Sequence, residues 1–214
     1  LGKVSYKEEG FLIKVVNQLP KENKVLHNEL MDHGWKVIKE PSSSAKALLL
    51  SIPFLLINTI LVIGVINLFS MISLVEYGIS DGGFHLSIQL IHIVWIIGML
   101  ICHEFIHLIL VPNFLKSNKT IIGITFIGGF VYTEEAITRT RYIIITVAPF
   151  IALSILLPIL LGLLGALTPV LKFIIILNAM GSAVDVLMLF LIITQVPSGA
   201  FIRCNGSKTY WKLF

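Results

Sequence analysis

Four stretches of this chain, Ala47 to Ser70, Leu86 to Val111, Tyr142 to Leu167 and Val170 to Thr194, stay apolar over the roughly 20 residues that an α-helix needs to cross a bilayer. Nothing else in the sequence restricts the fold as much. Of 214 residues, 56% are hydrophobic and 13% charged, and the mean hydropathy of +0.93 is outside what ordinary soluble domains show. The expected fold is an all-α polytopic membrane protein with four transmembrane helices. A short cytoplasmic N-terminal segment (residues 1–44) would precede the membrane domain (45–196), and a cytoplasmic tail (197–214) would follow it.

Lysine and arginine set the orientation, because they stay on the cytoplasmic side of a membrane. Lys3, Lys7, Lys14, Lys21, Lys24, Lys36, Lys39 and Lys46 precede the first span. Lys116, Lys119, Arg139 and Arg141 lie between spans two and three, and Arg203, Lys208 and Lys212 lie in the tail, whereas the other two connections hold only Lys172. Both termini are expected in the cytoplasm. The net charge of +4 then reflects this bias and attraction to anionic lipid, not a nucleic-acid footprint. Cys102 and Cys204 fall on different levels of that topology, so no disulfide is expected. Cys102, about 100° round the helix from its neighbour His103, is expected to be a small buried side chain. No cleavable signal peptide is expected, since the first long apolar run begins late in the chain.

The polar chemistry is concentrated inside span two. His103, Glu104 and His107 form an H-E-x-x-H motif, and residues four apart share one face of a helix, so both imidazoles can address one divalent metal with Glu104 beside it. A zinc ion with three protein ligands keeps a position for water and lowers its pKa to about 7, and a nearby carboxylate can take the proton. Ionisable groups in such an apolar segment are expensive unless they pair or bind something. The competing account is a set of core histidines bonded to neighbouring helices. His85 and His92 lie on nearly the same face, but His92 is roughly 16 Å from His103, too far to share a metal. It would serve a water path or interhelical packing.

Asp185 is the only carboxylate besides Glu104 within a span. Under the four-span topology, spans two and four run in the same direction. His103 and Asp185 each stand nine residues before their cytoplasmic ends, at Pro112 and Thr194, which puts both about 13 Å deep. Asp185 is therefore the expected third ligand of a Zn2+ ion. Asn178, Ser182 and Asp185, at i, i+4 and i+7, share a stripe. Asn178 is a candidate for bonding substrate backbone or a developing oxyanion, and Ser182 for orienting a ligand. Ordinary interhelical hydrogen bonding would explain Asn178 and Ser182 equally well, while Gly181 would let another helix approach closely.

Residues 121–132 are β-branched and aromatic with glycine punctuation, which predicts a short hairpin or extended edge on the cytoplasmic side. Such an edge could hold a substrate by strand addition or could shield the site as a re-entrant loop, with Gly128 and Gly129 allowing close backbone approach. Residues 22–35 have helical spacing that ends at Gly34, with Val25, Leu26 and Leu30 on one side. Pro149 and Pro158 imply kinks in span three.

His103-Glu104-x-x-His107 on one span, a loop ending near Ala148-Pro149, and Asn178 to Asp185 on a later span resemble the site-2 protease class of intramembrane zinc metalloproteases. The resemblance is closer to a bacterial four-span zincin peptidase family of unknown function, in which a Gly-Trp-x-x-x-x-x-Pro run, matched by Gly34, Trp35 and Pro41, precedes the first span. It implies an integral protein of the bacterial cytoplasmic membrane that cuts transmembrane or membrane-proximal protein substrates. Site-2 proteases usually carry N-x-x-P-x-x-x-x-D-G. Here Gly181 stands at the proline position, Asp185 comes one residue early and Val186 follows it, a spacing that an unbroken helix would need to bring Asn and Asp together. The alternative function is a membrane metal-binding or sensor protein without catalysis.

Overall fold

A computed structural model describes residues 14–80, 82–84, 89–125 and 128–214. The expected position of His85, and those of Lys3, Lys7 and Asp81, lie outside these residues.

Among the described residues, four helical units are long and apolar enough to cross a membrane: Ser44–Asn67, Leu90–Leu110, Arg139–Leu163 and Pro169–Gln195. The first is α2 (Ser44–Asn67) and the second α3 (Leu90–Leu110). The third joins α4 (Arg139–Pro149), a π-helical segment (Phe150–Leu156) and α5 (Leu157–Leu163), and the fourth joins α6 (Pro169–Gly181) and α7 (Ala183–Gln195). The fourth unit, expected as an unbroken helix, is interrupted at Ser182, whose ψ of 1° leaves the helical range, although Ser182 N–H still donates to Asn178 C=O. A Cβ on Gly181 would meet nothing within 4 Å, and no close helix approach depends on it.

The core of the bundle is Val62 and Ile66 from α2, Phe150 from the π-helical segment, and Ile175 and Ala179 from α6. Asn58 crosses this core to donate to Ala179 C=O at 3.2 Å, which satisfies a buried amide with a free carbonyl. The outward faces carry Ile60, Val94, Ile101, Phe105 and Phe190, all at least half exposed. Cys102 lies on this outward surface too, and not in the interior as expected. α2 packs on α6 and α7, and α3 on α4 and α6, but α2 and α3 barely meet.

The expectation of an all-α chain is corrected at one end of the bundle, where two sheets gather. One contains β1 (Lys14–Val16), β5 (Thr120–Thr125) and β6 (Gly128–Thr133) in the order β1-β5-β6, with β5 and β6 as the antiparallel hairpin expected from residues 121–132. The other uses β2 (Lys36–Val37), β7 (Ile137–Thr138), β8 (Phe201–Asn205) and β9 (Lys208–Lys212) in the order β2-β9-β8-β7. The tail is thus a hairpin at the centre of a sheet. Gly206 makes its two-residue turn at φ +59°, and a Cβ there would lie 2.5 Å from Glu22 N. A small pairing of β3 (Ile79–Ser80) with β4 (Gly83–Phe84) follows the 3-10 turn Leu74–Tyr77 at the connection between α2 and α3.

The N-terminal helix α1 (Lys24–Asp32) is capped by Asn23 and packs Leu30, with Trp35, onto Tyr210 of the tail hairpin. Val25 points outward instead, 76% exposed. The Asn205 side chain, 1% exposed, accepts from Asn23 N–H and donates to Asn23 C=O, each at 2.9 Å. Gln195 makes the same reciprocal pair with the Lys39 backbone, which ties this layer to the end of α7.

Candidate metal centre

His103 and His107 lie in the last two turns of α3, both at 9% exposure. The helix starts with Gln89 N–H donating to His92 Nδ1 at 3.2 Å. His92 is therefore an N-terminal capping group, which accounts for its polarity without a role at the site. At the other end, Arg141 donates to Leu110 C=O at 3.0 Å, covering one of the carbonyls that a helix end leaves free.

Each imidazole is held through the nitrogen that faces away from the site. His107 Nδ1 donates to Ile145 C=O at 2.7 Å. That carbonyl is available because the residue four positions on is Pro149, which has no N–H to return to it. His103 Nδ1 meets Asn178 Oδ1 at 2.9 Å, and Asn178 Nδ2 donates to Ser154 Oγ at 2.8 Å. A backbone carbonyl can only accept, so His107 carries its proton on Nδ1 and turns a lone pair out at Nε2. The same tautomer suits His103.

Both Nε2 atoms converge on Asp185. His103 Nε2 is 3.2 Å and His107 Nε2 3.6 Å from Asp185 Oδ2, and one ligand atom from each of the three residues fits within a 4.8 Å span. Donors about 2.0 to 2.1 Å from one tetrahedral zinc ion lie about 3.3 Å apart, so the donor set and its spacing fit such an ion. Asn178 and Asp185 thus approach opposite edges of one imidazole from the same stripe. That stripe was legible, and Asn178, expected to bond substrate backbone or an oxyanion, lines the cleft while its amide engages His103 and Ser154. Ser182 Oγ donates to Asn178 C=O at 2.9 Å and orients no ligand directly.

Glu104 stands beside this trio with Oε2 buried and without a hydrogen-bond partner. The β6 backbone lies against it: a Cβ on Gly129 would fall 2.5 Å from Glu104 Cγ. A cleft of about 990 Å³ is lined by His103, Glu104, His107 and Asp185, by Gly129 and other β6 residues, and by Ser51 and Leu55 of α2 facing Ile96 and Met99 of α3. α2 and α3 share few contacts with each other, and residues of both line this cleft. Ser154 and the Ile145 C=O were not recognised as site residues from the sequence, whereas the close backbone approach expected at Gly129 is found against Glu104. Pro149 was the one available signal, since a proline inside a helix always frees a carbonyl.

Residues 96–201, just under half of the chain, match the model of a protein family described as "Putative zincin peptidase". The match takes in the H-E-x-x-H turn, the β5–β6 hairpin and Asp185. No curated protein and no solved structure matches the chain.

Proposed function

We propose that this chain, similar over its central part to zincin metallopeptidases, is a zinc endopeptidase that cuts transmembrane or membrane-proximal protein segments. The observation that carries the proposal is the convergence of two Nδ1-anchored imidazoles and the Asp185 carboxylate, with an unpartnered Glu104 oxygen alongside. His103, His107 and Asp185 would hold the ion, and zinc supplies a Lewis acid that polarises a carbonyl and acidifies water. Glu104 accepts a proton at Oε2 from the water that attacks the scissile carbonyl, then delivers it to the departing amide nitrogen. Burial keeps that carboxylate free of competing hydrogen bonds.

Two features support a substrate from the lipid phase. The cleft is walled by apolar residues of α2 and α3, among them Leu48, Leu55, Ile96 and Met99, as well as by Glu104, a lining suited to a peptide from the lipid phase. Among the described residues β6 pairs only with β5, so its other edge can take an extended segment by strand addition next to Glu104.

Glu104→Gln tests the mechanism. The variant keeps its zinc and loses cleavage of a transmembrane model substrate by at least about a hundredfold, at the lower end of what general-base catalysis supplies. Unchanged turnover with zinc in place would exclude the mechanism. The second reading, a metal-binding protein without catalysis, predicts zinc binding in wild type with no cleavage of any peptide by either form.

A further inference from the structure

Span three has no charged residue after Arg141, yet it contributes a fully buried hydroxyl. Ser154 is 0% exposed and sits in the π-helical stretch Phe150–Leu156, between Pro149 and Pro158. π-helical turns insert an extra residue and recur where a side chain is re-aimed for function. Here the hydroxyl faces α6, where it accepts from Asn178 Nδ2 at 2.8 Å. Asn178 is itself 6% exposed, and its other end meets His103 Nδ1 at 2.9 Å.

An amide can present either oxygen or NH2 to its neighbour, and the two choices have opposite consequences for His103. Oxygen toward Nδ1 keeps the ring proton there and leaves the Nε2 lone pair facing Asp185. NH2 toward Nδ1 would demand a lone pair on Nδ1 and move the proton to Nε2, into the metal position. In the structure Ser154 Oγ accepts from Nδ2, which holds the amide with its oxygen toward His103.

Resting on the metal-centre reading above, we propose that Ser154 and Asn178 are a positioning pair that fixes the tautomer and ring plane of His103 for metal binding. Both act through His103. Partners of this kind are worth about 10- to 100-fold in metal affinity. His107 gets the same service from the Ile145 carbonyl.

The test uses the full chain purified in detergent. Zinc affinity is measured by competition with a chromophoric chelator, and ligand geometry by the visible absorption of the cobalt(II)-loaded protein, for wild type, Asn178→Leu, Asn178→Asp, Ser154→Ala and His103→Ala. Asn178→Leu should weaken zinc binding by about 10- to 100-fold. Asn178→Asp, which keeps an oxygen acceptor, should stay within a few-fold of wild type. Ser154→Ala should lie between them and shift the cobalt spectrum, a change that a merely structural hydroxyl would not cause. Wild-type affinity and an unshifted spectrum in both Asn178→Leu and Ser154→Ala would overturn the proposal, and if the leucine variant does not fold, Ser154→Ala decides by itself. Loss of the metal reading looks different: wild type binds no zinc, or His103→Ala binds it undiminished.

Discussion

The backbone of Gly129 is the floor under Glu104, and a methyl group there has no room: Glu104 Cγ, Cδ and Oε1 all lie within 3.0 Å of the position a Cβ would take. Gly129→Ala is expected to push the carboxylate off its line, with cleavage falling by about a hundredfold, as misplacements near 1 Å do. Zinc content should be unchanged, because no ligand moves; an assay of both on one preparation checks this. Outside the four helical units, Glu40 is at odds with its surroundings. Its Oε1 is buried without a partner, and burial pushes its carboxyl up from the usual 4.5 to about 7, only partly offset by hydrogen bonding to Thr209. An acid whose pKa is raised by folding adds stability that is complete below its unfolded value of 4.5 and is lost as pH rises through about 7. The chain should therefore lose up to about 3 kcal/mol between those limits from this group, and Glu40→Gln should flatten that part of a melting-temperature profile in detergent. His103, Glu104 and His107 were legible because four-residue spacing is a direct consequence of helix geometry. Ser154 was not, since a hydroxyl in an apolar run says nothing about its partner until the facing helix is known.

Among the elements, the connection between α2 and α3 is pinned to the fourth helical unit by one buried cation. Lys172, 2% exposed, donates to both Glu76 oxygens at 2.9 and 3.1 Å and to Met71 C=O at 2.9 Å. The two partners differ in burial, with side-chain exposures of 3% for Lys172 and 26% for Glu76. Removing the carboxylate strands a charge in the interior, whereas removing the lysine leaves a carboxylate that water can reach. Glu76→Gln is expected to destabilise by about 3 kcal/mol and Lys172→Met by clearly less, as read from thermal unfolding of both variants in detergent. The order reversed would mean that the Met71 carbonyl holds the lysine without help. In sequence, Lys172 is an isolated cation, and its partner lies 96 residues away. The β5–β6 hairpin was visible from its β-branched residues and glycines. The β8–β9 hairpin was read only as a cytoplasmic tail, although Gly206-Ser207, between the paired Asn205 and Lys208, is a two-residue hairpin loop.

At the scale of the whole molecule, the helical count and approximate span limits follow from hydropathy, and matched depth was enough to single out Asp185 as a partner for the two imidazoles. What the sequence could not supply was the sheet layer. Its strands β2, β7, β8 and β9 come from three distant parts of the chain, and such pairings leave no local trace. The ligands come from α3 and α7, so a bound ion would clamp two helices that barely share other contacts. Zinc at a hundred times its dissociation constant should then stabilise the fold by about 2.7 kcal/mol. A chelator should reverse the shift in melting temperature, and Asp185→Ala should abolish it; an equal shift in that variant would place the ion elsewhere.

His103 and Asp185 are 82 residues apart, and that separation bears on biosynthesis. Under the proposed function, a chain emerging from the ribosome would present its glutamate and both imidazoles well before the last ligand has been translated. An unfinished protein would then lack the third ligand and could not digest its neighbours, so hydrolytic competence would arrive only with the fourth helical unit.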